Sequence, residues 1–151
     1  MDIYTPEKIM ELKENALRHF LKMPEEFRHA ERETLCRICN GIGPEKWKRK
    51  YRLFATFILR NFQEAAMIHD FRYFQSDGKR ESRKIYDTEF YENCLILLHH
   101  KYPFWKLWLF PVKIWAYFKI RIAKQLLQIF GASAYLSACE HRKEKENASF
   151  Q

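Results

Sequence analysis

Ala65-Ala66-Met67-Ile68-His69-Asp70-Phe71-Arg72-Tyr73 and, beginning thirteen residues after Tyr73, Tyr86-Asp87-Thr88-Glu89-Phe90-Tyr91-Glu92 decide how this chain folds. Between them stands Ser76-Asp77-Gly78, a turn signal that closes one helix before the next begins. On a helix Tyr73 falls one turn beyond His69 on the same face, whereas Asp70 points about 100° away. The apolar pattern agrees. Phe54, Phe57, Ile58, Phe62, Ala65, Ala66 and His69 trace a buried stripe and predict a long helix from about Leu53 to Phe74. Asp87, Tyr91, Cys94 and Leu98 recur at intervals of three or four, with Ile85, Phe90, Ile96 and Leu97 beside them. They predict a second helix from about Arg80 to His99. A short connection forces the two helices antiparallel and brings His69 close to Asp87.

Upstream, Thr5-Pro6 is a helix start, with Thr as N-cap and Pro at the first helical position. Ile9, Leu12, Ala16, Leu17 and Phe20 continue it at helical spacing. Pro24 interrupts, and Glu25 to Leu35 predicts a shorter helix carrying Phe27 and Ala30. Asn40-Gly41 and Gly43-Pro44 mark the segment from Cys36 to Pro44 as a loop. A basic stretch follows, Lys46-Trp47-Lys48-Arg49-Lys50-Tyr51-Arg52.

Downstream of Tyr102 the chain changes character. Phe104, Trp105, Trp108, Phe110, Trp115 and Phe118 are interleaved with Leu, Ile and Val, and lysines recur at 106, 113, 119 and 124. A crossing helix needs about 20 apolar residues, and these lysines break every such window. Two readings of this amphipathic region, 102–146, stay open. Its helix, kinked near Pro111, packs on the protein or on a homo-oligomer partner through residues 104–130, or it lies in a membrane interface.

The chain has 151 residues, enough for one domain spanning 1–151 with a hydrophobic core. Apolar residues make up 47% and aromatic residues 17%, which excludes a largely disordered chain. Only four glycines and no clusters of β-branched residues favour an all-α fold over a sheet. The net charge of +8 suits an anionic partner, which could be a membrane, an acidic protein or nucleic acid. Cys36 and Cys39 form a CxxC, but no second close pair completes a zinc site. Structural thiols, a disulfide and a metal site remain open for the four cysteines. The start, Met1-Asp2-Ile3-Tyr4, has no basic then apolar leader, so no signal peptide is expected, and a cytoplasmic or peripheral-membrane location is the expectation.

The chemistry concentrates on His69. A neutral imidazole takes a proton from water near pH 7, which a lone carboxylate does poorly. Its other ring nitrogen needs a partner, and Asp87 serves that purpose while stabilising the imidazolium. Tyr73 donates to Asp87 and fixes its rotamer, leaving Asp70 for a cation. Calcium takes hard oxygens, including backbone carbonyls of a flexible loop, and the Asn40-Gly41-Ile42-Gly43 run is able to curl around one. The Gly41 N–H is then the candidate donor to an oxyanion. Each residue also has a plain reading: a core histidine at 69, a capping carboxylate at 87, a core tyrosine at 73 and a turn at 41–43. His19, His29, His99, His100 and His141 have no comparable partners.

These residues resemble the core of secreted and prokaryotic phospholipases A2. That family's helix carries His-Asp-x-x-Tyr, matched by His69, Asp70 and Tyr73, and its facing helix carries Asp-x-x-Phe, matched by Asp87 and Phe90. The Asn40-Gly41-Ile42-Gly43 loop resembles the family's glycine-rich calcium loop, and the likeness covers about residues 39 to 98. The resemblance implies a phospholipase-A2-like helical hairpin core, about 36–100, with additional N- and C-terminal helices. It implies calcium as cofactor, held by Asp70 and carbonyls around Asn40, Ile42 and Gly43. His69 would activate water, Asp87 would orient His69, and the reaction would be hydrolysis of the sn-2 ester of a glycerophospholipid. The competing reading is a catalytically inactive helical protein with a structural or binding role, associated with a membrane, a phage or envelope assembly, or nucleic acid. The last fits least, because the basic side chains of residues 46–52 are consecutive and wrap around a helix instead of sharing one face.

Overall fold

The computed structural model of the chain describes residues 4–39, 50, 59–103 and 105–148. Over these residues the protein is all-α, with no strand among them. Helix α1 spans Pro6–Arg18, and Thr5 caps it by accepting the Lys8 N–H at 3.3 Å, with Pro6 in the first turn. Its buried face is Ile9, Leu12 and Ala16. The helix stops short of the expected Phe20. The His19, Phe20 and Leu21 amides fold back onto the carbonyls of Asn15, Leu17 and Ala16, and this cap forces Phe20 to a φ of +52°. Phe20 is consequently exposed, whereas Leu21 is buried. A non-glycine residue in this conformation costs about 1 kcal/mol. Phe20→Gly is therefore expected to raise stability by about that amount in chemical denaturation.

The expected helix from Glu25 to Leu35 is instead two, α2 (Glu25–His29) and α3 (Arg32–Ile38). They break at Ala30, whose backbone is extended and whose carbonyl accepts Lys13 Nζ at 2.8 Å. The break lets Phe27 and Leu35 both turn fully inward, and α3 runs on through Cys36 to Ile38, past the expected loop start.

Helix α4 spans Gln63–Gln75, not the whole of Leu53–Phe74. Residues 53–58 lie outside the described residues. Leu59 is a turn, and Arg60–Phe62 forms a 3₁₀ turn. Here the Asn61 carbonyl accepts Lys101 Nζ at 2.5 Å, and the Asn61 amide donates to the Tyr102 hydroxyl at 3.0 Å. Every residue from Glu64 to His69 is buried, which makes α4 the central helix; α1, α3 and the two long helices that follow all pack on it. Helix α5 spans Arg80–Lys101 after a turn whose Gly78 has a φ of +82°. Its direction follows from its ion pairs with α4. Arg72 forks onto Glu89 at 2.7 and 3.0 Å near the turn, and Lys101 lies 3.5 Å from the buried Glu64 at the far end. The two helices are antiparallel. Asn93, fully buried on α5, clamps the chain after α1 by bonding both the N–H and the carbonyl of Lys22 at 2.8 Å. Ile85, beside the Asp87–Leu98 positions on this helix, is exposed.

Helix α6 spans Phe110–Ala148, so Pro111 sits in its first turn, where a proline is tolerated, and the expected kink gives way to a helix start. At about 1.5 Å per residue its 39 residues reach about 58 Å. It packs on α4 and α5 through Ala116, Ile120, Ala123, Tyr135 and Cys139. The small residues face inward, while Trp108, Phe110, Trp115 and Phe118 face out. No helix of the described residues is long and apolar enough to cross a membrane.

Candidate active site

The hairpin brings His69 of α4 against Asp87 of α5. Nε2 of His69 lies 3.0 Å from Asp87 Oδ1, and the Tyr73 hydroxyl donates to the same oxygen at 2.5 Å. Sequence spacing explains the convergence. Positions 69 and 73 stack one turn apart on α4, and the four-residue turn between α4 and α5 sets Asp87 opposite both. The Tyr73 ring lies over the imidazole with centroids 4.0 Å apart, and Phe90 closes the other side at 5.2 Å. These contacts leave the His69 side chain only 7% exposed.

Charge balance around Asp87 involves a residue that spacing did not single out. Arg83, one turn before Asp87 on α5, places Nε 3.9 Å from Asp87 Oδ2. Its Nε and Nη1 are buried with no hydrogen-bond partner among the described residues, so its cation acts on Asp87 through space. The signal was present in the i,i+4 pairing of Arg83 with Asp87. Two more residues come from α6. The Tyr135 ring meets Tyr73 edge-on at 5.0 Å, and its hydroxyl is bonded to the Ser76 hydroxyl and to the Lys79 carbonyl at 2.9 Å. Gly131 passes so close that a Cβ there would lie 3.2 Å from the Tyr73 hydroxyl. A bulky residue must displace either α6 or Tyr73. Gly131→Leu is expected to cost about 1–3 kcal/mol and to move the Tyr73 ring signals in an NMR spectrum.

His69 Nδ1 faces the Asp70 carboxylate across 3.9 Å, too far for a direct hydrogen bond. Burial alone would lower the His69 pKa, but the carboxylates of Asp70 and Asp87 on its two sides outweigh burial and raise it above the usual imidazole value. Burial also drives the Tyr73 hydroxyl up, with the Asp87 hydrogen bond adding to it, so Tyr73 stays a donor. The raised His69 pKa ties stability to pH. The imidazolium is favoured in the folded state, so its stabilisation is complete below about pH 6.5, the unfolded value. It is lost as pH rises from there through the folded pKa. In chelator, the melting temperature is expected to fall across that window, and His69→Gln is expected to flatten the dependence.

The residues proposed for calcium divide into two groups. Asp70 is about one-third exposed beside His69. Asn40, Gly41, Ile42 and Gly43 lie outside the described residues. Their neighbour Cys39 is buried, with its thiol 3.5 Å from the Met67 carbonyl, so the chain leaves α3 alongside the helix that carries Asp70. Burial, then the Asp70 charge, push the Cys39 thiol well up, which keeps it protonated. Among the described residues, no cluster of three or more His, Cys, Asp or Glu side chains is placed to hold a metal ion. A cation at Asp70 would therefore need backbone oxygens, the hard donor set that calcium accepts. All four cysteines are free thiols in this structure.

No protein-family model matches this chain, and comparisons with curated proteins and with solved structures likewise give no match.

Proposed function

We propose that this protein hydrolyses a glycerophospholipid ester in the manner of a phospholipase A2, with calcium as cofactor. The observation that carries the reading is the division of labour on one imidazole. His69 commits Nε2 to Asp87 and turns Nδ1 toward Asp70. A water at hydrogen-bond distance, about 2.8 Å, is able to touch both Nδ1 and Asp70 across their 3.9 Å gap. Nδ1 takes a proton from that water as its oxygen attacks the ester carbonyl carbon. Asp87 bears the resulting imidazolium, held in place by Tyr73 and balanced by Arg83. As the bond from carbonyl carbon to the glycerol oxygen breaks, Nδ1 returns the proton to that oxygen. The products are a free fatty acid and a lysophospholipid.

Asp70, with carbonyls of Asn40, Ile42 and Gly43, would hold the calcium ion, and the Gly41 N–H is the further candidate donor to the oxyanion. When bound, calcium would supply a Lewis acid for the ester carbonyl. The antiparallel α4–α5 hairpin with its His69–Asp87–Tyr73 network supports a phospholipase-A2-like arrangement of the core. The test is product analysis from mixed phospholipid vesicles, in calcium and in chelator. Release of the sn-2 fatty acid in calcium alone is the expected result. No release in either condition would leave the rival, a catalytically inactive helical binding or structural protein.

A further inference from the structure

Helix α6 presents three faces, and only one is accounted for. At about 100° per residue, Ala116, Ile120 and Ala123 share a narrow arc against α4 and α5. On one side of that arc Trp115, Phe118, Ile122, Leu126 and Ile129 form a continuous exposed apolar band. On the other side stand Tyr117, Arg121 and Lys124. In the approach to the helix, Trp105 and Trp108 are also 78% and 74% exposed. A soluble protein rarely leaves so many aromatic residues contiguous and in water unless they meet something.

Charge says what they meet. Residues 93 to 139 carry six Lys and Arg and not one Asp or Glu. Cations bracket the apolar band: Arg121 at one edge, and at the other Lys119, whose ammonium lies over the Trp115 ring at 5.6 Å. A second copy laid along this band would set cations against cations with no acidic side chain on residues 110–139 to offset them, the helix's glutamates standing only from Glu140 onward. An anionic lipid surface supplies the missing charge. It also suits the side chains themselves, because indole rings favour the headgroup level and lysine stems reach past buried rings to the surface.

We propose that the band centred on Trp115, Phe118 and Ile122 docks α6 flat on an anionic phospholipid surface, with Lys119 and Arg121 at headgroup level. This docking stands apart from the His69 chemistry and needs no hydrolysis.

Sedimentation of the full chain with vesicles, in chelator, separates the two claims. Vesicles of phosphatidylcholine alone are compared with vesicles one-third phosphatidylserine. Tighter binding to the serine-containing vesicles is expected, with a blue shift of tryptophan emission. Lys119→Gln combined with Arg121→Gln should weaken it about 25-fold, at about fivefold per cation. Trp115→Ser with Phe118→Ser should weaken it on the order of tenfold or more. His69→Gln should bind as the wild type does. Equal binding to both vesicles, or binding that both double variants retain, would overturn the proposal. So would a concentration-dependent dimer in ultracentrifugation that the Trp115 and Phe118 changes abolish while the wild type ignores vesicles.

Discussion

Replacing His69 with glutamine is expected to reduce calcium-dependent phospholipid hydrolysis by 10²–10⁴-fold, the range for loss of a general base. Glutamine has no titratable nitrogen with which to accept a proton from water. It does have an amide N–H that reaches toward Asp87, so the contact through Nε2 is partly kept. The helical circular dichroism spectrum should therefore be that of the wild type. Hydrolysis by the variant at the wild-type rate would remove His69 from the mechanism.

Asp87→Ala should produce the largest loss of stability among single changes at the site. One carboxylate takes the His69 imidazole and the Tyr73 hydroxyl on a single oxygen and faces the buried Arg83 cation with the other. Removing it strands all three groups in a site where Asp87 itself is only 16% exposed. Breaking a buried charged pair from one side costs about 3–5 kcal/mol. For a domain of this size that lowers the melting temperature by roughly 6 to 20 °C. Asp87→Asn keeps an acceptor oxygen and so should cost less stability, yet it loses the negative charge that supports the imidazolium. Its hydrolysis is expected to drop by about 10²-fold or more. An alanine variant that unfolds at the wild-type denaturant concentration would show that the network carries no stability.

The core of this arrangement was legible because it depends on spacing. Positions 69, 73 and 87 converge whenever two helices meet across a four-residue turn, and the Ser76-Asp77-Gly78 signal fixed that turn. Helix ends were harder. Nothing in Ala30-Glu31 or in Leu59-Arg60 is a breaker by composition, and both breaks rest on distant partners, Lys13 and Lys101. The cap at Phe20 ran against propensity, because a β-carbon in a left-handed backbone is disfavoured and the burial of Leu21 overrode that cost.

Helix α6 inverted the usual reading. With apolar residues on every side, periodicity alone named no inner face. Packing chose the small side chains Ala116 and Ala123 and, at Tyr73, Gly131, because they let α6 approach the hairpin closely. The large aromatics were left outside. Gly131, a lone glycine within a helix, was the sequence's trace of that close approach.

On the proposed chemistry, His69 holds its proton on Nε2, toward Asp87, and keeps a lone pair on Nδ1. A ¹⁵N NMR spectrum of the imidazole, recorded above the folded pKa and compared with His69→Gln for assignment, reads this directly. The expected spectrum has a protonated Nε2 and an unprotonated Nδ1. A proton found on Nδ1 instead would leave the water without a base and rule out His69 in that role.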